Sequence, residues 1–367
     1  MTIDINGNPV IGVELNGTLI SNVEVGGQNV WEEAFFDVQN ISAPNEVDEG
    51  NGFTVSANIV NTSNGAGEQS INFNRGGSQN VTVDGNESKN VSFSETINNA
   101  GSYTLTISSD DDSASRTIDV INPDLFDITK QSFDTSINSR DSSPAGILWN
   151  NDGSRFYEVG SGSDRVYQSN ASTPYDITTL SPAGSISTPD DRPMDIAWND
   201  DGSRLYVLGN DFDRIHQYTV STPFDIGSAS VTTSISTRDS FPSGIAWNND
   251  GSRLYEVGFD RDEIAQFNVS TPFDIDTASF STSINTQDGV ATGIAWNNDG
   301  SRLYEIGNVS DKIYQYNVST PFNISSASLS ASINTQDSTP DGITWNGDGS
   351  RLYESGQSSD KIYQYTL

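Results

Sequence analysis

The chain has no cysteine, so neither disulfides nor thiolate chemistry contributes. It has one histidine, His216, and only four lysines, Lys89, Lys130, Lys312 and Lys361. The 17 basic residues face 50 acidic ones, a net charge of −33. Nothing resembles a basic patch, which excludes a nucleic-acid partner. No hydrophobic run approaches the length of a membrane-spanning helix, so membrane insertion is not expected. The opening MTIDINGNPV lacks the basic and apolar regions of a signal peptide. Synthesis in a cytoplasm is the expectation from that start. No serine-nucleophile elbow, P-loop, HExxH or EF-hand pattern occurs. A helical period is missing as well.

What is present is repetition. Trp149, Trp198, Trp247, Trp296 and Trp345 stand 49 residues apart. Each sits in nearly the same sentence, GIAWNNDGSRLYEIG in the fourth unit. A period in the forties, with β-rich runs and Asp-Gly turns, is the signature of a β-propeller. Five units of 49 fill residues 123–367. The fourth unit divides into four strand signals at 293–297, 302–307, 312–319 and 329–335. The array starts with an outer-strand segment, 132–139, and ends with a third strand, 362–367. The last blade therefore takes its outer strand from the start of the array, which leaves no open edge there.

Two regions precede the propeller. Residues 34–122 hold about seven short strand signals separated by turns such as NEVDEGNG and DGNES. That spacing predicts an immunoglobulin-like β-sandwich. Residues 1–33 carry Asn-Gly and Gly-Gly turns between very short strands. Their apolar residues include Ile3, Ile5, Val10, Ile11, Val13, Leu15, Val25, Val30 and Trp31. So small a segment cannot bury a core alone. Packing on the sandwich would cover it. An anchor docking on another protein or on further copies of this chain is the reading preferred here. The fold class is thus all-β: a short β anchor, a sandwich and a five-bladed propeller closed by strand exchange.

Acidic residues are spread over both parts: 17 acids against 3 bases in residues 1–122, and 33 against 14 beyond. On a well-patterned β protein this matches adaptation to molar salt. There the Debye length is about 3 Å or less, so charge solvates the surface and steers nothing distant.

Comparison among the repeats locates a candidate contact face. The NNDGS turn and the STPFDI connection hardly vary, and strand alternation puts both on one face. The segments before the first strand and between second and third strands vary, and they share the opposite face. Loops on a rigid scaffold carry function. In the second and third units these loops hold Arg192, Met194, Asp211, Phe212, Arg238, Phe241, Phe259, Asp260 and Arg261. Aromatic and arginine side chains are common binding anchors, and aromatic faces beside Asp suit sugar rings. The alternative is that the phenylalanines fill gaps between blades.

Catalysis has few places to hide. His216 occupies a slot held by Tyr167, Tyr314 and Tyr363 elsewhere, which makes it a strand residue. Glu158, Glu256, Glu305 and Glu354 recur at one position, with Val207 in the second unit. A glycosidase needs two carboxylates in unlike environments, whereas these are equivalent by repetition. A structural or ion-binding role is expected for them, no catalytic residue is assigned, and no cofactor is implied. The Asn-Asp-Gly turns could bind Ca²⁺, but turn-forming Asx residues explain them more simply.

The repeat GIAWNNDGSRLYEIGNVSDKIYQYNVSTPFNISSAS resembles propeller repeats of phage and environmental virus structural proteins. More distantly, its DG turn is similar to that of TolB-type and WD40-like propellers. The segments APNEVDEGNGFTVSANIVNTSNGAG and AGSYTLTISSDDDSASRTIDV resemble CARDB-like domains of haloarchaeal surface proteins. The domain order resembles virion appendages of haloarchaeal tailed viruses. That resemblance implies a capsid turret, spike or tail fibre, assembled in the host cytoplasm and displayed on the virion in high salt. Its implied partners are other virion proteins at the N-terminus, further copies of itself, and a host glycan or S-layer glycoprotein. A lectin-like adhesive propeller of a haloarchaeal cell surface is the alternative, and a glycoside hydrolase-like enzyme the third. The shared residues, Asp299-Gly300 and Pro321-Phe322 in the fourth unit, are structural positions.

Overall fold

The computed structural model describes residues 34–367 in full, preceded by the strand backbones Val13–Leu15, Thr18–Ile20, Asn22–Val25 and Gln28–Glu32. The first two of these strands pair with each other, as do the last two. Ile3, Ile5, Val10 and Ile11 lie outside the described residues, as do the side chains of Val13, Leu15, Val25, Val30 and Trp31. The chain divides into two compact units, residues 1–123 and 124–367.

In the first unit, Gly52–Asn61 is the central strand of a three-stranded sheet, between Phe36–Ser42 and Ser88–Thr96. The second sheet runs Glu46–Asp48, Ser113–Ile121, Gly101–Ser108, Gly67–Phe73, Ser78–Val83. Strict alternation along Gly52–Asn61 turns Phe53, Val55, Ala57 and Ile59 into one core with Ile71, Leu105, Ile107 and Ile118. The sequence left Glu46–Asp48 inside a turn. It pairs in parallel with Ser113–Ile121 instead, held only by that neighbour. Asn61 is fully buried, and its amide donates to Gly65 O and Val83 O.

The second unit is five four-stranded antiparallel sheets. Blade four comprises Ala291–Trp296, Arg302–Gly307, Lys312–Val318 and Ala327–Asn334. The first and fourth of these strands begin two residues earlier than the starts read from the sequence, and the second and third coincide with them. Blade five comprises Pro340–Trp345, Arg351–Gly356 and Lys361–Thr366, and Ser132–Asn138 completes it by antiparallel pairing with Lys361–Thr366. The ring therefore closes by exchange of an outer strand.

Each Asp-Gly turn is locked to the connection after the third strand. Gly300 has φ +72°, and a Cβ there would run into the Phe322 ring. Phe322 itself has φ 58°, a left-handed conformation that a bulky residue adopts only under tertiary constraint. Its N–H bonds Gly300 O at 3.0 Å. Asp299 Oδ1 accepts Ser301 N–H, an Asx turn, and needs no metal to explain it.

The seams between blades use the same device five times. Trp198 sits between Tyr157 of the preceding blade and Phe224 of its own, at 5.2 and 5.4 Å between centroids. The Tyr157 hydroxyl donates to Phe224 O, and Gln168 Oε1 accepts Ile226 N–H. Across the seam from blade four to blade five, Tyr304 and Arg302 reach Phe126 O and Leu125 O, and Gln315 accepts Ile128 N–H. The repeated arginines thus serve the scaffold.

Candidate functional site

The variable loops stand on buried carboxylates. In each blade one Asp from the loop before the first strand binds the loop between the second and third strands. Asp239 accepts the backbone N–H groups of Phe241, Asp260 and Arg261. Asp190 does the same for Arg192, Asp211 and Phe212. The recurrent Glu sits one layer below. Glu256 accepts from Arg238 N and Asp239 N, and Glu354 from Gln336 N and Asp337 N. Burial pushes both glutamates up to about 7, against those hydrogen bonds. These four glutamates brace loops, which agrees with a structural role.

Blade two departs from this plan in a correlated way. Val207 stands where the others have Glu, and Pro189, which has no N–H to offer, stands where Arg238 or Gln336 donates. The acceptor is lost together with one of its two backbone donors. The Tyr218 hydroxyl is left buried without a partner, whereas Tyr316 and Tyr365 donate to Glu305 and Glu354.

A second network separates the blades. In blades one, four and five a loop serine bonds both the clamp aspartate and a strand tyrosine: Ser163 with Asp141 and Tyr167, Ser310 with Asp288 and Tyr314, Ser359 with Asp337 and Tyr363. In blade two Phe212 replaces the serine and His216 the tyrosine. His216 is buried, its Nε2 has no partner, and burial lowers its pKa. In blade three Arg261 and Ala265 take the two places. Two adjacent blades have thus given up a closed polar network. Phe212 is 59% exposed and Phe241 44% exposed. Phe241 stacks on the half-buried Phe259 at 5.4 Å and 19°. Filling gaps between blades does not describe Phe212 or Phe241.

The other residues singled out from the sequence divide. Arg192, Asp211, Asp260 and Arg261 are exposed. Arg192 lies 3.8 Å from Asp211, Asp260 accepts the Ser240 hydroxyl, and Arg261 Nε donates to Arg238 O. Arg238 is half-buried, paired with Glu263 at 2.5 Å and 4.4 Å above the Phe280 ring. Met194 is a correction. It is only 7% exposed and packs with Tyr206, Leu208, Ile215 and Ile245, because it belongs to the first strand, where every side chain of blade two is buried. Val309, 67% exposed on the blade-four loop, escaped the sequence reading because it is one apolar residue among polar ones.

The opposite face holds a central funnel of about 270 Å³, lined by the first strands from Ile147 to Asn151 and their equivalents. Asn150 N–H bonds Arg155 O, so ladder alternation turns the N–H and C=O of Trp149 toward the axis. Asp195 stands at a position held by Gly146, Gly244, Gly293 and Gly342 in the other blades. Its carboxylate accepts Ile196 N–H and, from the next blade, Ile245 N–H, both at 2.8 Å, and burial pushes it up to about 7. In the sequence this site shows only as DIAW in place of GIAW. At the rim, Asn151, Asn249 and Asn298 each donate a side-chain amide to a backbone carbonyl of the next blade. Blade five has Gly347 there, and the Tyr175 hydroxyl supplies the bond to Asn151 O instead. The rim amides are committed to backbone carbonyls, whereas the indole nitrogens of Trp149, Trp198, Trp247, Trp296 and Trp345 are buried without a partner. Among the described residues no three His, Asp or Glu side chains converge as metal ligands.

No family model and no curated protein matches the chain. Solved structures do. The β-propeller domain of Cps50 (Swd1) from Myceliophteria thermophila is 10% identical, with 65% of this chain and 99% of that one covered and a TM-score of 0.41. A putative 6-phosphogluconolactonase from Bacteroides uniformis is 13% identical, covering 68% and 70%, at 0.40. A CARDB domain from Pyrococcus furiosus is 16% identical over 24% of this chain and 90% of that domain, at 0.22. Likeness at this level is one of architecture alone.

Proposed function

We propose that this protein is a non-enzymatic recognition protein displayed on a virion, with its propeller turned toward the host. It attaches to other virion proteins through its N-terminal segment, as a homo-oligomer, and reads a surface glycan or S-layer glycoprotein in high salt. The contact surface is the loop face of blades two and three. One observation carries this reading: these blades alone lack the serine–aspartate–tyrosine network, and exposed Phe212 and Arg261 stand in the serine's place. Sites that break a local stabilising rule are where function is expected. The aromatic pair Phe241–Phe259 beside them offers a flat apolar platform. Domain order and acidic composition support the virion and high-salt parts of the reading.

The test replaces Phe212, Phe241 and Arg261 by Ser and Phe259 by Asn, residue types that sister loops carry. The melting temperature should stay near that of the parent. Binding to host envelope fragments in molar salt should fall by about 1 kcal/mol or more per anchor. Unchanged binding by a folded quadruple variant would remove this face from consideration.

A further inference from the structure

Three of the five seams between blades carry one more hydrogen bond, made by different residues at the same place, and from blade one to two Ala145 offers no donor. The acceptor is the backbone carbonyl that opens the first strand of the following blade. At the seam from blade three to four, Ser243 Oγ donates to Ala291 O at 2.7 Å. From blade four to five, Thr292 Oγ1 donates to Pro340 O at 2.9 Å. From blade two to three, where Met194 has no donor, Asn210 Nδ2 reaches Pro242 O at 3.1 Å. The seam from blade five back to blade one has Asp341 in the position of Ser243 and Thr292, and Pro144 in the position of the acceptors Ala291 and Pro340. Asp341 is only 5% exposed, and its Oδ2 is buried without a partner.

We infer that Asp341 is carried as a neutral carboxylic acid and that its proton latches the closing seam by a hydrogen bond to Pro144 O. A carboxylate can only accept, and the facing group is an acceptor too, so the bond requires the proton. Ser243 and Thr292 make it with a hydroxyl at every pH, whereas Asp341 makes it conditionally.

The surroundings favour the neutral form. Asp337 and Asp195 both act on Asp341 by charge repulsion, and burial is the larger cause; together they push it up to about 8. The neighbouring first strands, PAGILW and ATGIAW, carry no titratable side chain. On the adjacent second strand, Glu354 is turned to the N–H groups of Gln336 and Asp337, and Arg351 donates to Tyr175 O. Ser355 Oγ, beside the seam, is occupied with Gly342 N and Ala145 O. Gln357 opposes the shift as a hydrogen-bond partner, by more than Asp195 adds to it but by less than burial and Asp337 do. No base is placed to hold an ionised Asp341.

The sign follows by linkage. The folded-state value lies above the ordinary 3.8 of an aspartate. The stabilisation is complete below that ordinary value and is lost as pH rises through about 8. The test is the melting temperature from pH 5 to 9 for the parent, Asp341→Asn and Asp341→Thr. Asn and Thr donate at every pH, so their advantage over the parent should widen by more than roughly 4 °C across the range. Ser243→Ala should lower the melting temperature by a constant amount. Parallel curves for parent and both Asp341 variants would overturn the latch, and are what an ionised Asp341 held by Gln357 would give. A direct readout needs no variant to fold well: the carbon-13 carboxyl titration of Asp341 in the parent, assigned by its absence in either variant. A midpoint above 6 supports the latch, and any lower midpoint overturns it.

Discussion

The stranded Tyr218 hydroxyl is the sharpest residue-level consequence of the repeat. Its ring is core, but its oxygen has lost the glutamate that Tyr316 and Tyr365 still use. An unsatisfied buried hydroxyl costs stability, while removing it together with its need is nearly neutral. Tyr218→Phe should therefore leave the stability unchanged or raise it. Tyr365→Phe should lower it by about 1–2 kcal/mol in denaturant unfolding. The second loss should grow with pH, because Glu354 ionises near 7 and then needs the donor more. The sequence displayed Val207 among four glutamates, and equivalence among the repeats led to a structural or ion-binding reading of them. It did not display the tyrosine's dependence on them, since the two residues meet only through the pairing of neighbouring strands. Met194 shows the opposite failure. A loop boundary placed two residues late put a core side chain on a surface.

At the scale of strands and turns, the repeats agree where their residues differ in pairs. Gly347 lacks the amide that Asn249 and Asn298 send to the next blade, and Tyr175, which is Phe in the sister blades, supplies a hydroxyl from the other side. A Cβ on Gly347 would come within 2.9 Å of that hydroxyl. Tyr175→Phe alone should cost about 1 kcal/mol, and Gly347→Asn alone should also destabilise. The double variant restores the form of the neighbouring seams and should recover most of both losses. A double-mutant cycle in urea measures this, with a coupling of about 1 kcal/mol or more expected and additivity contradicting it. Strand order, turn chemistry and the exchanged outer strand were legible because a period of 49 repeats every signal five times. Glu46–Asp48 was not, because three residues among turn formers carry no period, and their strand character comes from one neighbour in space.

For the whole molecule, the buried carboxylates set the response to pH. Asp195, Glu256 and Glu354 titrate near 7 and Asp341 near 8, all raised by burial. Each favours the folded state below its ordinary range and loses that contribution as pH climbs to its folded value. For Asp288 and Asp337 burial acts upward, but hydrogen bonds overcome it and hold them below the ordinary range, so they stabilise above about 3.8. The two groups bracket an optimum. Thermal stability at fixed salt should peak in mildly acid solution and decline from about pH 6 to 8. A melting temperature that rises steadily across that interval would contradict the assignment.

The exchanged strand also decides how the molecule would bear a pull. The chain enters the propeller at Asp124 and reaches its closing strand, Ser132–Asn138, a few residues later. Tension drawn through residues 1–123 is therefore delivered to the element that shuts the ring. It meets Arg302, Tyr304 and Gln315 first, gripping Leu125, Phe126 and Ile128 from the blade next door. Only behind that grip lies the ladder to Lys361–Thr366. Such a pull would load a shielded fastening, with side chains of blade four acting as strain relief for the joint in blade five.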